Sequence, residues 1–125
     1  YTDAKISKSN PVGETGKRFD AVPKYNGSIW GMRGFALAND AVIRVGGGIR
    51  YTGKTISRNN TSTIIIRNPS YTLADFMASY EQDDWRLAVN INNLFDKDYD
   101  STCLARGDCF IGARRSIVGS ITKRF

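Results

Sequence analysis

Hydrophobic and polar positions alternate along this chain in short stretches, most cleanly near its end. In the run 85–92, Trp85, Leu87, Val89 and Ile91 fall on one side of an extended backbone, and Arg86, Ala88, Asn90 and Asn92 on the other. The closing run 116–125 repeats the pattern more weakly, with Ile117, Gly119, Ile121, Lys123 and Phe125 on the apolar side and Val118, Ser120, Thr122 and Arg124 opposite. The same reading predicts further strands over 1–6, 25–36, 42–51 and 70–80, six in all. In 42–51, Ile43, Val45, Gly47, Ile49 and Tyr51 share a side opposite Arg44, Gly46, Gly48 and Arg50. In 70–80, Thr72, Ala74, Phe76, Ala78 and Tyr80 lie together, with Asp75 and Ser79 on the other face. Strand 25–36 alternates poorly, so its pattern leaves the side taken by Trp30 open. Three consecutive glycines, Gly46 to Gly48, predict a place where another element approaches the backbone closely.

The connections sort by length. Tight turns are predicted at 37–41, centred on Asn39-Asp40, and at 81–84, which reads Glu81-Gln82-Asp83-Asp84. Long loops cover 7–23, with Asn10-Pro11, Gly13, Gly16 and Pro23; 52–69, where Thr63-Ile64-Ile65-Ile66-Arg67 extends a strand; and 96–113. Short and long connections alternate strictly, as do the periplasmic turns and outer loops of bacterial outer-membrane barrels, whose strands need only about 9 to 11 residues. A strand running without slack to Phe125 predicts an end held by pairing, which barrel closure supplies. Tyr80, Trp85 and Phe125 then fall near the short-turn rim, and Tyr51, Tyr71 and Phe95 near the other, as aromatic girdles do.

Composition narrows the function classes. The chain is 41% hydrophobic, without an apolar run of the length a membrane helix needs, which leaves strands as the means of crossing a bilayer. Its 125 residues carry a net charge of +6, but the eighteen Lys and Arg are spread over every segment without a nucleic-acid motif, so no nucleic-acid partner is expected. With no histidine, and no nucleophile beside a base, the chain presents no catalytic set, and binding is the expected activity. Arg44, Arg50, Arg86 and Asp75 are expected to face a polar interior, because a lipid-facing Arg near the bilayer midplane costs about 2–4 kcal/mol. The only two cysteines, Cys103 and Cys109, share one loop. Their spacing is wrong for a C-x-x-C redox pair and no histidine can complete a mixed zinc site, so an oxidising compartment would join them as a disulfide.

The segment Asn90-Ile91-Asn92-Asn93-Leu94-Phe95-Asp96-Lys97-Asp98-Tyr99 resembles the N-N-L-F-D-K-x-Y signature before the last outer loop of TonB-dependent siderophore receptors. Cys103 and Cys109, then Gly112-Ala113-Arg114-Arg115, then a strand ending Arg124-Phe125 resemble the rest of that tail. Upstream, Val22-Pro23-Lys24-Tyr25 with Ser28-Ile29-Trp30 is similar to the family's V-P-K-H…S-L-W, Pro69-Ser70-Tyr71-Thr72-Leu73 to its P-S-Y-T-L, and residues 1–6 to its Y-T-D-A-x-I. Cys109-Phe110 and the Gly112 to Arg115 run look closest to the ferrichrome and hydroxamate branch.

This resemblance implies an all-β fold: the last six antiparallel strands of a transmembrane β-barrel of about 22 strands. Residues 1–125 would be the C-terminal segment of the barrel domain, with the plug and earlier strands absent. It also implies an outer-membrane location in a Gram-negative bacterium and, as cargo, a ferric siderophore, with no cofactor bound by the protein itself. Energy would come from the TonB-ExbB-ExbD complex through the absent N-terminal part. Phe110, Leu104 and Tyr99 are the expected ligand-binding residues, and Gly119, Ile121 and Phe125 the expected signal to the barrel-assembly machinery. Lys123 departs from the family, which usually has an aromatic residue there. The competing expectation is a self-contained secreted all-β binding domain.

Overall fold

A computed structural model describes residues 1–8, 15–38, 40–58 and 65–125, and every regular element among them is a strand. In chain order they are β1 (Asn26–Ala36), β2 (Val42–Thr52), β3 (Thr55–Arg58), β4 (Ile65–Asn68), β5 (Tyr71–Gln82), β6 (Trp85–Asn92), β7 (Asp100–Cys103), β8 (Cys109–Ile111) and β9 (Ser116–Lys123). Five of them form one sheet in the spatial order β1-β2-β5-β6-β9, while β3–β4 and β7–β8 are two-stranded ribbons. The chain divides into two compact units: Ser28–Arg50, Thr72–Lys97 and Ala113–Phe125 make up one, and Tyr1–Gly27, Tyr51–Tyr71 and Asp98–Gly112 the other.

In the sheet unit the alternation becomes cross-strand rows. On one face β5, β6 and β9 align Phe76–Ile91–Ile117, Ala78–Val89–Gly119, Tyr80–Leu87–Ile121 and Gln82–Trp85–Lys123. The other face aligns Met77–Asn90–Val118, Ser79–Ala88–Ser120 and Glu81–Arg86–Thr122. Asp83-Asp84 makes the two-residue turn between β5 and β6, with Asp83 at φ +51°, a conformation aspartate tolerates better than most residues. The Arg124 N–H donates to the Asp84 carbonyl at 2.8 Å and ties the end of β9 to that turn. At the other short turn Leu37 N–H donates to Ala41 O at 2.7 Å and Asp40 has φ +57°. Asn39, predicted at its centre, lies outside the described residues.

The glycine run has a definite occupant. A Cβ on Gly48 would stand 2.1 Å from Cε3 of Trp30, and one on Gly46 would meet Met77 at 3.2 Å and Met32 at 3.4 Å. Trp30 therefore takes the polar face, its ring lying where the neighbouring strand has no side chain. The opposite face carries uncovered apolar side chains: Ile117 is 62% exposed and Ile121 71%. Among the described residues only Ala41, Leu73 and Cys103 are buried apolar side chains, so the sheet builds no core of its own on that face.

Three expectations are corrected. Segment 1–6, expected as the first of six strands, makes a single isolated bridge, Lys5 with Arg18, so the sheet has five strands. Thr2 N–H bonds Lys24 O and Phe19 N–H bonds Ala4 O, both at 3.0 Å, so two residues advance on one side against five on the other. The extra stretch contains Ala21 at φ +59° and Pro23, which has no N–H to donate, and the ladder breaks there. The last strand, expected to run to Phe125, ends at Lys123, and the Phe125 side chain is fully exposed. Finally, the loops over 52–69 and 96–113 contain the ribbons β3–β4 and β7–β8. Thr63 and Ile64 of the predicted strand extension, and Asn10, Pro11 and Gly13 of the first loop, lie outside the described residues.

Candidate functional site

Where β6 leaves the sheet, the chain turns at Asn93, which is 3% exposed and has φ +53°, a conformation asparagine tolerates. Its backbone N–H donates to Asp75 Oδ1 at 3.0 Å. Its side-chain Nδ2 donates to Lys97 O at 2.9 Å and to Ala113 O at 3.0 Å, and its Oδ1 accepts from Lys97 N–H at 2.8 Å. One side chain thereby holds both ends of the segment between Lys97 and Ala113. Asp75 is itself fixed by Arg50, whose Nε and Nη2 donate at 2.6 and 2.9 Å. Arg44 and Arg86 flank Glu81 at 2.6 and 3.2 Å on the same polar face.

A second tie runs through Asp96, at φ +52°. It accepts from Arg114 Nε at 3.0 Å, Arg114 Nη2 at 2.7 Å and the Arg115 N–H at 2.9 Å. The Arg114 guanidinium, and after it the Arg115 N–H, hold the Asp96 carboxyl well below the usual carboxylate range. A depressed folded value means that the stabilisation is present above the unfolded carboxylate range and is lost as pH falls through the folded value. The tie is therefore expected to persist at about pH 5 and to fail only well below about pH 4. Protease cleavage within 98–112 across that range reads it out, with Asp96→Asn expected to abolish this part of the pH response. An unchanged pH response in Asp96→Asn would contradict the assignment.

In the other unit, β7 and β8 pair Thr102 with Phe110 and Cys103 with Cys109, and the two cysteines are joined as a disulfide. The turn closes through Leu104 N–H to Asp108 O at 2.8 Å and Gly107 N–H to Leu104 O at 3.0 Å, with Gly107 at φ +109° and Arg106 paired to Asp108. The β3–β4 ribbon is tied to this hairpin by two side chains. Buried Ser57 donates from Oγ to Cys103 O at 2.5 Å, and buried Asn68 from Nδ2 to Asp100 O at 2.9 Å. Asp100 lies within 4.8 Å of both sulfurs, but their bond to each other removes the thiolates a metal ion would need.

The three residues expected to meet ligand are placed differently. Phe110 is on β8 and 49% exposed, and Leu104 is half-buried at the start of the hairpin turn. Tyr99 is half-buried, its ring centroid 4.3 Å from that of Tyr71, and it covers Gly112, where a Cβ would stand 2.1 Å from the Tyr99 ring. Gly119 and Ile121 are on the apolar face of β9, and Phe125 lies beyond that strand. Of the supporting residues, Asn93 and Asp96 stand in the 90–99 signature with no role legible from sequence, and Ser57 and Asn68 carry no sequence motif. The available signal was residue type: Asn and Asp both tolerate positive φ and bond neighbouring backbone, which suits them to strand exits.

Residues 1–94 match the family model described as TonB dependent receptor-like, beta-barrel. The ferrioxamine B receptor of Salmonella typhimurium is 38% identical over the whole of this chain, and the ferrichrome outer membrane transporter/phage receptor of Escherichia coli 31%. The chain spans about 18% and 17% of the lengths of these relatives. Among solved structures, the ferripyoverdine receptor of the outer membrane of Pseudomonas aeruginosa, bound to ferripyoverdine, aligns with a TM-score of 0.73 at 31% identity, covering 86% of this chain and 15% of its own. The five-stranded sheet with one apolar and one polar face, the ribbons at its long connections and the match over residues 1–94 converge: this chain belongs to the TonB-dependent receptor-like β-barrel family.

Proposed function

We propose that the chain is the C-terminal part of an outer-membrane receptor that binds a ferric siderophore of hydroxamate type and imports it with energy delivered through TonB. The observation that carries this reading is the 38% identity, over the whole chain, to a receptor named for ferrioxamine B. The fold supplies a physical rationale. Acyl chains would cover the exposed face with Ile117 and Ile121, while Arg44, Arg50, Arg86 and Asp75 would face the interior as paired charges. A bulky polar chelate needs aromatic contact on a held frame, and Phe110 offers this on a hairpin supported by Ser57 and Asn68. Leu104 and Tyr99 would contribute beside it, with Tyr99 acting chiefly by packing. Coupling to TonB-ExbB-ExbD would run through another part of the receptor. Gly119, Ile121 and Phe125 would be read by the barrel-assembly machinery. The uncovered apolar face disfavours a self-contained secreted domain.

In the full receptor, Phe110→Ala is expected to weaken binding of a ferric hydroxamate about tenfold, equivalent to roughly 1.4 kcal/mol, as measured with radiolabelled iron on whole cells. Deleting the receptor should abolish growth that depends on one ferric hydroxamate. Unchanged growth on every siderophore of that class would overturn the reading.

A further inference from the structure

The apolar face of β5, β6 and β9 is not uniformly filled. The row Ala78–Val89–Gly119 is small, and it lies between the bulkier rows Phe76–Ile91–Ile117 and Tyr80–Leu87–Ile121. At Gly119 nothing lies within 4 Å of where a Cβ would be, unlike Gly46 and Gly48, whose space is taken by methionine and tryptophan. The result is an open apolar groove of about 660 Å³ whose lining includes Ala78, Tyr80, Leu87, Val89, Gly119 and Ile121.

Lys123 stands on the same face of β9, four residues beyond Gly119 and therefore about 13 Å along the strand. It belongs to the fourth row of that face, Gln82–Trp85–Lys123, and is the one charged side chain in the four. Its Nζ lies 5.1 Å from the Trp85 ring and 5.4 Å from the Phe125 ring, and no carboxylate pairs with it among the described residues. Both rings are within cation–π reach of the ammonium, and neither neutralises it. One strand face thus presents a cation at the short-turn rim and, a fixed distance away, an unfilled apolar trough. The complementary molecule has an anionic head and a hydrocarbon tail.

We propose that this face binds one phospholipid of the periplasmic leaflet, its headgroup phosphate on Lys123 and an acyl chain in the trough over Ala78, Val89 and Gly119. The inference rests on the outer-membrane reading above. It gives a positive role to Lys123, the position that departs from the family pattern: an aromatic residue there would anchor at the interface, but only a cation can pair with phosphate.

The test uses the full receptor, delipidated in detergent and titrated with phosphatidylglycerol or with diacylglycerol of the same chains, with bound molecules counted by native mass spectrometry. The parent should retain one phosphatidylglycerol about tenfold more tightly than diacylglycerol. Lys123→Gln should erase that preference, and Gly119→Leu, which fills the trough, should weaken both lipids. Gly119→Val serves as the second filling variant if Gly119→Leu does not fold. Parent-like lipid binding in Lys123→Gln and in the folded filling variant would overturn the proposal. Insertion of each variant into lipid vesicles, read by protease protection, separates the two failures. A parent that does not insert defeats the outer-membrane reading and this proposal with it, whereas normal insertion with unchanged lipid binding defeats this proposal alone.

Discussion

Replacing Asn93 with alanine is expected to destabilise the protein by about 3–5 kcal/mol, a cost near the upper end for single substitutions. Three hydrogen bonds of its side chain are lost together, from Nδ2 to Lys97 O and Ala113 O and from Lys97 N–H to Oδ1. Each such bond contributes roughly 0.5–1.5 kcal/mol net, and the partners left without one add a desolvation cost. Alanine is also strained by about 1–2 kcal/mol in the left-handed conformation that asparagine tolerates at φ +53°. Asn93→Gly relieves the strain but not the lost bonds, so it should cost about 1 kcal/mol less than Asn93→Ala. Thermal unfolding of the full receptor in detergent reads the order, and protease cleavage within 98–112 shows whether the segment between Lys97 and Ala113 comes loose. A change below about 0.5 kcal/mol for Asn93→Ala would show that those backbone groups find other partners.

The second large effect is steric. Gly48→Ala would place a methyl 2.1 Å from Trp30 Cε3 and 2.9 Å from the Ile29 carbonyl oxygen, so the ring must move. Overpacking of this kind typically costs about 1–3 kcal/mol. If Trp30 is the obstacle, Gly48→Ala should cost much less in a Trp30→Ala background, with the Ile29 contact leaving a remainder. A double-mutant cycle on unfolding temperatures measures that coupling. Gly119→Ala is the internal reference: its added methyl meets open space, so it should stay within about 0.5 kcal/mol of the parent. Equal costs at Gly48 in the two backgrounds would mean that the tryptophan is not what the glycine accommodates.

The difference between these two glycines shows how far the amino-acid order could be read. The rows from Phe76–Ile91–Ile117 to Gln82–Trp85–Lys123 follow from period-two alternation, because a strand can place its apolar residues on one face in only one way. The run 90–99 was legible as a family signature, and its work at the strand exit was not. Asp75 and Ala113 lie 18 and 20 residues from Asn93, and no local pattern specifies which distant groups an amide will meet. Tyr99 shows the same limit: no local pattern specifies that its ring packs against Tyr71 and over Gly112.

By itself the sequence determined the all-strand class, the strict sorting of short and long connections, the apolar and polar faces of β5, β6 and β9, and the family signature. These depend on neighbours along the chain and on the two-residue repeat of an extended backbone. Only the tertiary structure decided that residues 1–6 fall short of a strand, that β9 stops at Lys123, that Trp30 lies over Gly48, and that Asn93 holds both ends of a loop. Each of those outcomes depends on the register and side-chain volume of an adjacent strand, or on a backbone group many residues away, and such partners come into reach only once the sheet has formed.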